Sequence, residues 1–266
     1  MIKDITIGQY LPGESYVHRA DPRVKIVLTF AYMILAIIIS SYIGLILFAL
    51  FTTLIIVLAE IPFRYIFKGL KPVIIIVLFT AVINLFAIKG TPIFEFGFIH
   101  ITYEGISMTV KMMLRLTLLI VSASILTLTT TPILLTDGME KLMGPLRKIK
   151  VPVHEIAMMM TIALRFIPTL LEETDKIMKA QAARGADFDT GNIIQRAKSF
   201  VPVLVPLFVS AFRRADDLAV AMEARCYRGS MGRTKMKQLK IGALDIKIII
   251  ASGIFLIGII FLEYFL

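Results

Sequence analysis

The chain has 266 residues, of which 58% are hydrophobic, with a mean hydropathy of +0.84 and a formal net charge of +10. Soluble domains are only about half apolar, so this composition excludes an ordinary soluble protein and predicts a membrane protein in contact with lipid. The single cysteine, Cys226, excludes an internal disulfide and is typical of a reducing cytoplasmic side. The basic residues form no soluble domain with interleaved aromatic residues, so no nucleic-acid partner is expected.

Five apolar segments are long enough to be transmembrane helices, since about 20 apolar residues cross the hydrocarbon core. They cover residues 24–40, 43–59, 72–88, 105–130 and 243–264. Asp21 and Pro22 are a typical N-cap and first helical residue for the first segment. Lys111 and Arg115 lie one turn apart in the fourth, where they must reach outward or pair inside the bundle.

The distribution of Lys and Arg predicts the orientation of these spans. Basic residues are concentrated before the first span, in the loop PFRYIFKGLK after the second, and in the long segment 132–241, which holds eighteen. The opposite side holds Lys89 and little else. The expected topology places the N-terminus in the cytoplasm and the C-terminus outside, with a membrane domain at 1–131, a cytoplasmic domain at 132–241 and a last transmembrane helix at 242–266.

The cytoplasmic segment contains one short and two long helical patterns, which makes the predicted fold an all-α polytopic membrane protein. The short helix is expected after Asp137, with Glu140 as a capping-box partner. The long helices are expected over 153–185 and, after Gly191 and Asn192, over 193–229, with kinks or an irregular first turn at their prolines. The apolar stretch 153–171 could instead be a sixth span, although Glu155 and Arg165 interrupt it.

Both long helices begin apolar, end charged and finish with a similar motif, Ala183-Arg184-Gly185 or Ala224-Arg225-Cys226. Gly185 and Gly229 are the expected helix stops. Arginine at such an end also compensates the helix dipole, so each motif alone is compatible with an ordinary solvated terminus. Two arginines between small residues, however, suit a partner with two equivalent acidic grooves, because a guanidinium binds carboxylates bidentately.

These paired motifs, at the ends of two cytoplasmic helices, resemble those of the T component of energy-coupling factor (ECF) transporters. The stretch SYVHRADPRVK before the first span, and the opening MIKDITIGQYLPG typical of vitamin-transporting members, are similar to the same family. The resemblance covers essentially the whole chain. One departure is Cys226, where the family motif has glycine.

The resemblance implies a non-catalytic subunit in the cell membrane of a prokaryote. It implies that the T component joins two ABC-type ATPases, A and A′, to a substrate-binding S component that could be interchangeable. Arg184 and Arg225 would sit in grooves of the two ATPases, whose ATP-driven motion would tip the S component and release a vitamin or other micronutrient. A dedicated cobalt or nickel system is the alternative within the family.

The residues themselves show no competing chemistry. The sequence has no phosphate-binding loop, and His18, His100, His154 and the lone cysteine have no metal-ligand spacing, so neither an enzyme nor a cofactor is expected. An intramembrane enzyme that binds a lipid phosphate through Lys111 and Arg115 is a weak alternative, since no acid, base or nucleophile accompanies them. A conventional ABC permease would leave the duplicated motif unexplained.

Two further groups of residues remain open to more than one interpretation. Met158, Met159 and Met160 lie in the apolar half of the first long helix, where they fill a core or form an adaptable surface for S components. Asp216 and Asp217 form a salt-bridged helix surface or pair the two long helices with each other.

Overall fold

A computed structural model of the chain describes residues 10–88, 90–96, 99–188, 192–229 and 238–265. The chain is an all-α polytopic membrane protein apart from one β-hairpin. The helices are α1 (Tyr16–Arg19), α2 (Pro22–Ile38), α3 (Tyr42–Leu58), α4 (Phe63–Leu70), α5 (Ile74–Ala87), α6 (Tyr103–Thr129), α7 (Pro132–Leu142), α8 (Val153–Ala183), α9 (Ile193–Ala224) and α10 (Ala243–Phe265). A 3₁₀ helix, Gly144–Ile149, precedes α8.

The residues outside those ranges include parts of the sequence argument: residues 1–9 of the opening stretch, Lys89 and Gly191. The described residues form two compact units. The first, called the membrane unit here, lies within 10–142 and 239–265 and holds α1–α7, the hairpin and α10. The second, called the paired-helix unit, lies within 143–238 and holds α8 and α9. These units are defined by how the helices pack, whereas the predicted domains were defined by the side of the membrane on which they lie. The predicted domain boundaries therefore stay a prediction.

The core of the membrane unit is built where α2, α3, α6 and α10 pack together. Tyr32 stacks on Phe48, with ring centroids 3.9 Å apart, and its hydroxyl shares a 2.5 Å hydrogen bond with Thr52 Oγ1. The Phe51 ring stacks on Phe255 at 3.7 Å, which joins α10 to α3. Burial of large aromatic rings makes these contacts the main source of packing energy in the bundle.

Helix α10 has a carboxylate near each of its ends, and each accepts hydrogen bonds at the N-terminus of another helix. Near its start, Asp245 Oδ1 accepts a 2.7 Å hydrogen bond from Asp21 N, at the N-terminus of α2. Near its end, Glu263 accepts hydrogen bonds from the backbone N–H groups of Ser40 and Ser41, before α3. Each carboxylate lies at the positive end of a helix dipole and satisfies N–H groups that have no partner in their own helix.

The spans of the first half are shorter than expected for a bilayer. By length and apolar composition, the described helices α6, α8 and α10 are each able to cross a membrane, and a fourth span exists if α4 and α5, bent by 60°, are counted as one. Helices α2 and α3 have 17 residues each, or about 26 Å at 1.5 Å per residue. These helices are shorter than the hydrocarbon core of about 30 Å, and local thinning of the bilayer is one way in which a membrane accommodates such a helix.

Several local predictions are confirmed and others are wrong. Asp21 caps α2 and Pro22 is its first residue, as predicted. The short helix expected in the segment 132–241 begins at Pro132 rather than after Asp137, because Thr131 Oγ1 accepts a hydrogen bond from Leu134 N and caps the helix there. Asp137 and Glu140 therefore lie inside α7, and the capping-box prediction is wrong.

Two elements of the membrane unit were not expected. The segment PFRYIFKGLK, predicted as a loop, contains the helix α4. The strands β1 (Pro92–Phe96) and β2 (Ile99–Thr102) pair antiparallel between α5 and α6. Their short length and their position between two apolar runs hide them from a search for helical periodicity.

The two long helices form as predicted, with an unexpected continuity. Asn192 and Gln195 form a capping box at the start of α9. Pro168 lies inside α8, and Pro202 and Pro206 lie inside α9, without interrupting either helix. Both helices are therefore continuous through these residues, without the irregular turn, and the alternative of a kink at the prolines stays a prediction.

Candidate functional site

The first arginine motif closes α8 through a Schellman cap. Arg184 is the C-cap residue, and Gly185 follows it with a positive φ of 90°. Gly185 N donates to Ala182 O and Ala186 N donates to Gln181 O, each at 3.0 Å. This pair of hydrogen bonds satisfies carbonyl groups of the last helical turn that would otherwise have no partner.

The second motif closes α9 in the same way. Arg225 is the C-cap residue, and Cys226 follows it with φ of 56°. Cys226 N donates to Glu223 O at 2.8 Å, and Tyr227 N donates to Met222 O at 3.0 Å. The two motifs are therefore the same local structure, formed once around a glycine and once around a cysteine.

This equivalence corrects the predicted end of α9. Gly185 ends α8 as expected, but Gly229 is not the stop of α9, because the helix ends at Ala224 and Cys226 takes the left-handed position. A left-handed conformation costs a residue with a side chain about 1–2 kcal/mol. The second motif thus retains the cap geometry despite a strained residue.

Both motifs present their arginines to the outside of the chain. All six motif residues, Ala183, Arg184, Gly185, Ala224, Arg225 and Cys226, are exposed. Within the described residues, neither arginine side chain makes a hydrogen bond or an ion pair, and the Cys226 thiol is free. A Cβ placed on Gly185 would meet nothing within 4 Å, so its backbone conformation, rather than crowding, favours glycine there.

The two motifs lie far apart in the paired-helix unit. Gln181 Nε2 donates to Pro202 O, and Arg214 Nη2 donates to Glu173 Oε2 at 2.9 Å, so the helices run antiparallel where they meet. Arg225 follows Pro202 by 23 residues of helix, or about 35 Å at 1.5 Å per residue. A single groove of ordinary size cannot hold both guanidinium groups, so the geometry suits two separate docking sites.

The contact between the helices was not found by the sequence argument. The Arg214–Glu173 ion pair links α9 to α8, and both side chains are partly buried. Asp216 and Asp217, the predicted candidates, are exposed and make no ion pair within the described residues. A pairing between residues 41 apart has no local signal, and Glu173 is one of three acids in its segment.

The paired-helix unit exposes much of its apolar surface. Met158 is partly buried, whereas Met159 and Met160 are 59% and 40% exposed, as expected for consecutive residues spaced 100° apart on a helix. Up to residue 212, α9 exposes large apolar side chains at Ile194, Val201, Leu204, Val205, Phe208, Val209 and Phe212. Such a surface is typical of a protein or membrane interface.

The basic pair of the fourth predicted span is engaged inside the membrane unit. Arg115 Nη2 donates to Ile39 O at the end of α2, at 2.5 Å. Lys111 Nζ lies 4.6 Å from the centre of the Tyr42 ring. Arg115 therefore binds the C-terminal end of α2, and Lys111 lies against the first residue of α3. The described residues also contain no cluster of His, Cys, Asp or Glu arranged to hold a metal.

Comparison with known proteins identifies the family of the chain. Residues 13–236 match the family CbiQ, described as cobalt transport protein. The chain is 62% identical to the energy-coupling factor transporter transmembrane protein EcfT of Ruminiclostridium cellulolyticum, over 99% of both chains. The chain belongs to this EcfT family. Further members are the EcfT proteins of Thermosediminibacter oceani, 57% identical over 97% of each chain, and of Bacillus subtilis, 50% identical over 94% of this chain and 95% of the relative.

Membership of the EcfT family confirms the resemblance drawn from the motifs and makes the chain a transmembrane component of an ECF transporter. The roles of individual residues are a separate matter, because a family name assigns none. The docking role of Arg184 and Arg225, and the S-component contact of Met158, Met159 and Met160, stay predictions.

Proposed function

We propose that this EcfT family member is the coupling subunit of an ABC-type importer. It receives ATP-driven motion from two cytoplasmic ATPases, A and A′, and passes it to a membrane-embedded S component that carries a vitamin or another micronutrient. The chain itself catalyses no reaction. One observation supports this proposal above the others: the same Schellman cap, at the ends of α8 and α9, presents an exposed arginine that has no partner in the part of the chain that the structure describes.

The arginines suit the docking role for physical reasons. A guanidinium has five N–H donors in a planar fork, which matches a carboxylate and retains its charge in a groove. Arg184 and Arg225 are held by rigid caps, so little backbone freedom is lost when they bind. The helical distance of about 35 Å between the motifs is compatible with one ATPase at each.

Charge reversal tests this proposal. The tagged chain is expressed with both ATPases and an S component, as wild type, Arg184→Glu, Arg225→Glu and the double variant. Each reversal should weaken docking by several kcal/mol, because attraction to an acidic groove becomes repulsion. The expected result is partial loss of ATPase from each single variant and full loss from the double variant, with the S component still bound in membranes.

Arg213→Glu is the matched control, since Arg213 is an exposed arginine of α9 outside both motifs. It changes the net charge by the same amount and should keep both ATPases. If the double variant keeps the ATPases and ATP-driven uptake, the motifs are only helix ends. If the control loses the ATPases equally, the effect is one of general charge.

We also propose that the paired-helix unit is cytoplasmic. The sequence has one cysteine, and Cys226 is exposed at the end of α9, so a single native thiol reports the location of the second motif. A membrane-impermeant maleimide should leave the chain unlabelled in intact cells and label it in inverted vesicles. Labelling in intact cells would reverse the proposed orientation, and Cys226→Ser serves as the unlabelled control.

A dedicated cobalt or nickel importer is the second candidate, favoured by the description of the matching family as cobalt transport protein. The two candidates differ in the S component rather than in this chain. Expression with S components for vitamins and for metal ions, followed by co-purification, separates them. Retention of several vitamin S components supports the shared type, and retention of a metal-specific one alone supports the dedicated type.

A further inference from the structure

The bend between α4 and α5, called the α4–α5 elbow here, has an exposed surface to which the proposed coupling function assigns no role. Helix α4 is bent by 60° from α5, so the two do not form one straight span. One face of α4 packs inward: Ile66 is 5% exposed, and a Cβ on Gly69 would lie 3.1 Å from Ser124 Oγ of α6. The opposite face of α4 has no partner among the described helices.

Three cations follow one stripe of that free face. Arg64, Lys68 and Lys71 are spaced i, i+4 and i+7, which places them above one another along the helix. All three are exposed, and none makes a side-chain hydrogen bond or ion pair within the described residues. The only acid close in sequence is Glu60, in the turn before α4. The stripe is therefore a line of uncompensated positive charge.

Aromatic side chains border this stripe. Phe63, Tyr65 and Phe67 are 53%, 41% and 68% exposed. A short helix with a basic stripe beside exposed aromatic residues is typical of one that lies in the interface between lipid headgroups and acyl chains. Its place between two apolar helices of a membrane protein puts it at that depth.

An apolar pocket opens beside the same elbow. It has a volume of about 310 Å³ and is lined by Phe67, Leu70, Lys71, Ile74, Val77 and Thr117. A cavity of about 150 Å³ is enough to hold a benzene molecule, so this one has room for several methylene groups. Lys71 belongs to both features, which places a cation at the mouth of an apolar pocket.

We propose that the α4–α5 elbow binds an anionic phospholipid. Its phosphate lies against Arg64, Lys68 and Lys71, where the guanidinium bonds the phosphate bidentately and the ammonium groups add point charges. One acyl chain enters the pocket between α5 and α6. The acyl chain of a zwitterionic lipid also fits the pocket, but its headgroup binds the stripe more weakly because its own ammonium group repels the three cations.

Native mass spectrometry of the full chain tests this proposal. The purified chain in neutral detergent is titrated with phosphatidylglycerol and, separately, with phosphatidylcholine of the same acyl chains. Wild type should retain phosphatidylglycerol preferentially. The triple variant R64Q/K68Q/K71Q should lose about fivefold in affinity for each charge, or on the order of 100-fold in all.

The control variant K148Q/K198Q/K240Q removes three exposed lysines elsewhere and should retain phosphatidylglycerol like wild type. Thr117→Phe, which fills the pocket and keeps every charge, should also lower retention. It provides an independent test if the triple variant fails to fold, which thermal unfolding would reveal. Soluble glycerol 3-phosphate should not compete, since it has no acyl chain.

Four results overturn the proposal: equal retention of the two lipids by wild type, equal loss in the triple and control variants, full retention by Thr117→Phe, or competition by glycerol 3-phosphate. A triple variant that retains phosphatidylglycerol but loses its ATPases in co-purification would assign the stripe to an acidic protein partner instead.

Discussion

The membrane unit and the paired-helix unit use the charged side chains at their helix ends in opposite ways. In the membrane unit, α10 places Asp245 and Glu263 on backbone N–H groups at the starts of α2 and α3, so both ends are closed internally. In the paired-helix unit, Arg184 and Arg225 have no partner within the described residues, and the first half of α9 exposes large apolar side chains.

This difference indicates which charged side chains stabilise their own unit and which are left to bind another chain. A carboxylate that accepts hydrogen bonds from backbone N–H groups at the start of another helix stabilises the packing of the two helices without help from another chain. An exposed arginine that has no partner contributes little to the stability of its own unit and is available to bind another chain. Substitutions should therefore separate the two units, with losses of stability in the first and smaller, more local effects in the second.

The largest effect is expected for Asp245→Asn in the membrane unit. Asp245 is 5% exposed and accepts from Asp21 N and Gly242 N, each at 2.7 Å. Asparagine has one acceptor oxygen, so one of these N–H groups loses its partner in a buried place. We expect a loss of about 2–3 kcal/mol in stability, measured as a lower midpoint of thermal unfolding in detergent.

Glu263→Gln is the matched control at the other end of α10. Its interaction with Ser40 N is exposed to solvent, so water replaces the lost acceptor and the cost should be smaller. Equal losses in the two variants would contradict the difference in burial. A loss of amide protection in α8 and α9 after Asp245→Asn would show that the stability of the paired-helix unit depends on the Asp245 contact in the membrane unit.

Neither of these carboxylate contacts could be predicted from the sequence. Asp21 and Asp245 are separated by 224 residues, and no periodicity connects them. The apolar runs and the cap at Asp21 were predictable because they depend on neighbours within a turn or two. Helix α4 was missed for a different reason, since it has only eight residues and contains Arg64 and Lys68, so the segment reads as a charged loop.

The arginine motifs show how far local reasoning extends within the candidate site. Their exposure at helix ends was predictable, because small residues around an arginine and a charged last turn are local features. The choice of Cys226 over Gly229 as the left-handed residue was not, since glycine is the usual occupant of that position. The distance between the motifs required the antiparallel contact between α8 and α9, which no local pattern reveals.

An intermediate effect is expected when the two caps exchange their left-handed residues. Gly185→Cys should cost about 1–2 kcal/mol, and Cys226→Gly should recover about 1 kcal/mol, because glycine adopts positive φ without a steric penalty. Amide hydrogen exchange at the cap N–H groups measures both. Exchange at Ala186 should quicken about tenfold in the first variant, and exchange at Tyr227 should slow in the second.

Gly144→Ala is the control for this exchange, since Gly144 has open space around a Cβ and no positive φ. It should leave both caps unchanged. If Cys226→Gly does not slow exchange at Tyr227, the cysteine is not strained in its cap. The equivalence of the two motifs would then extend to their energies as well as their hydrogen bonds.

The smallest effect is expected for the ion pair between α8 and α9. Arg214 and Glu173 are 38% and 24% exposed, so water screens their attraction. A double-mutant cycle with Arg214→Ala and Glu173→Ala should give a coupling energy of no more than about 1 kcal/mol in the isolated chain. The same cycle with Asp216→Ala in place of Glu173→Ala should give no coupling energy, because Asp216 makes no ion pair within the described residues.

A coupling energy well above 1 kcal/mol would contradict the difference drawn between the two units. It would mean that contacts within the paired-helix unit stabilise it as strongly as those within the membrane unit. A small value would leave the two helices able to change their crossing when partners act on Arg184 and Arg225, as the proposed transmission of motion requires.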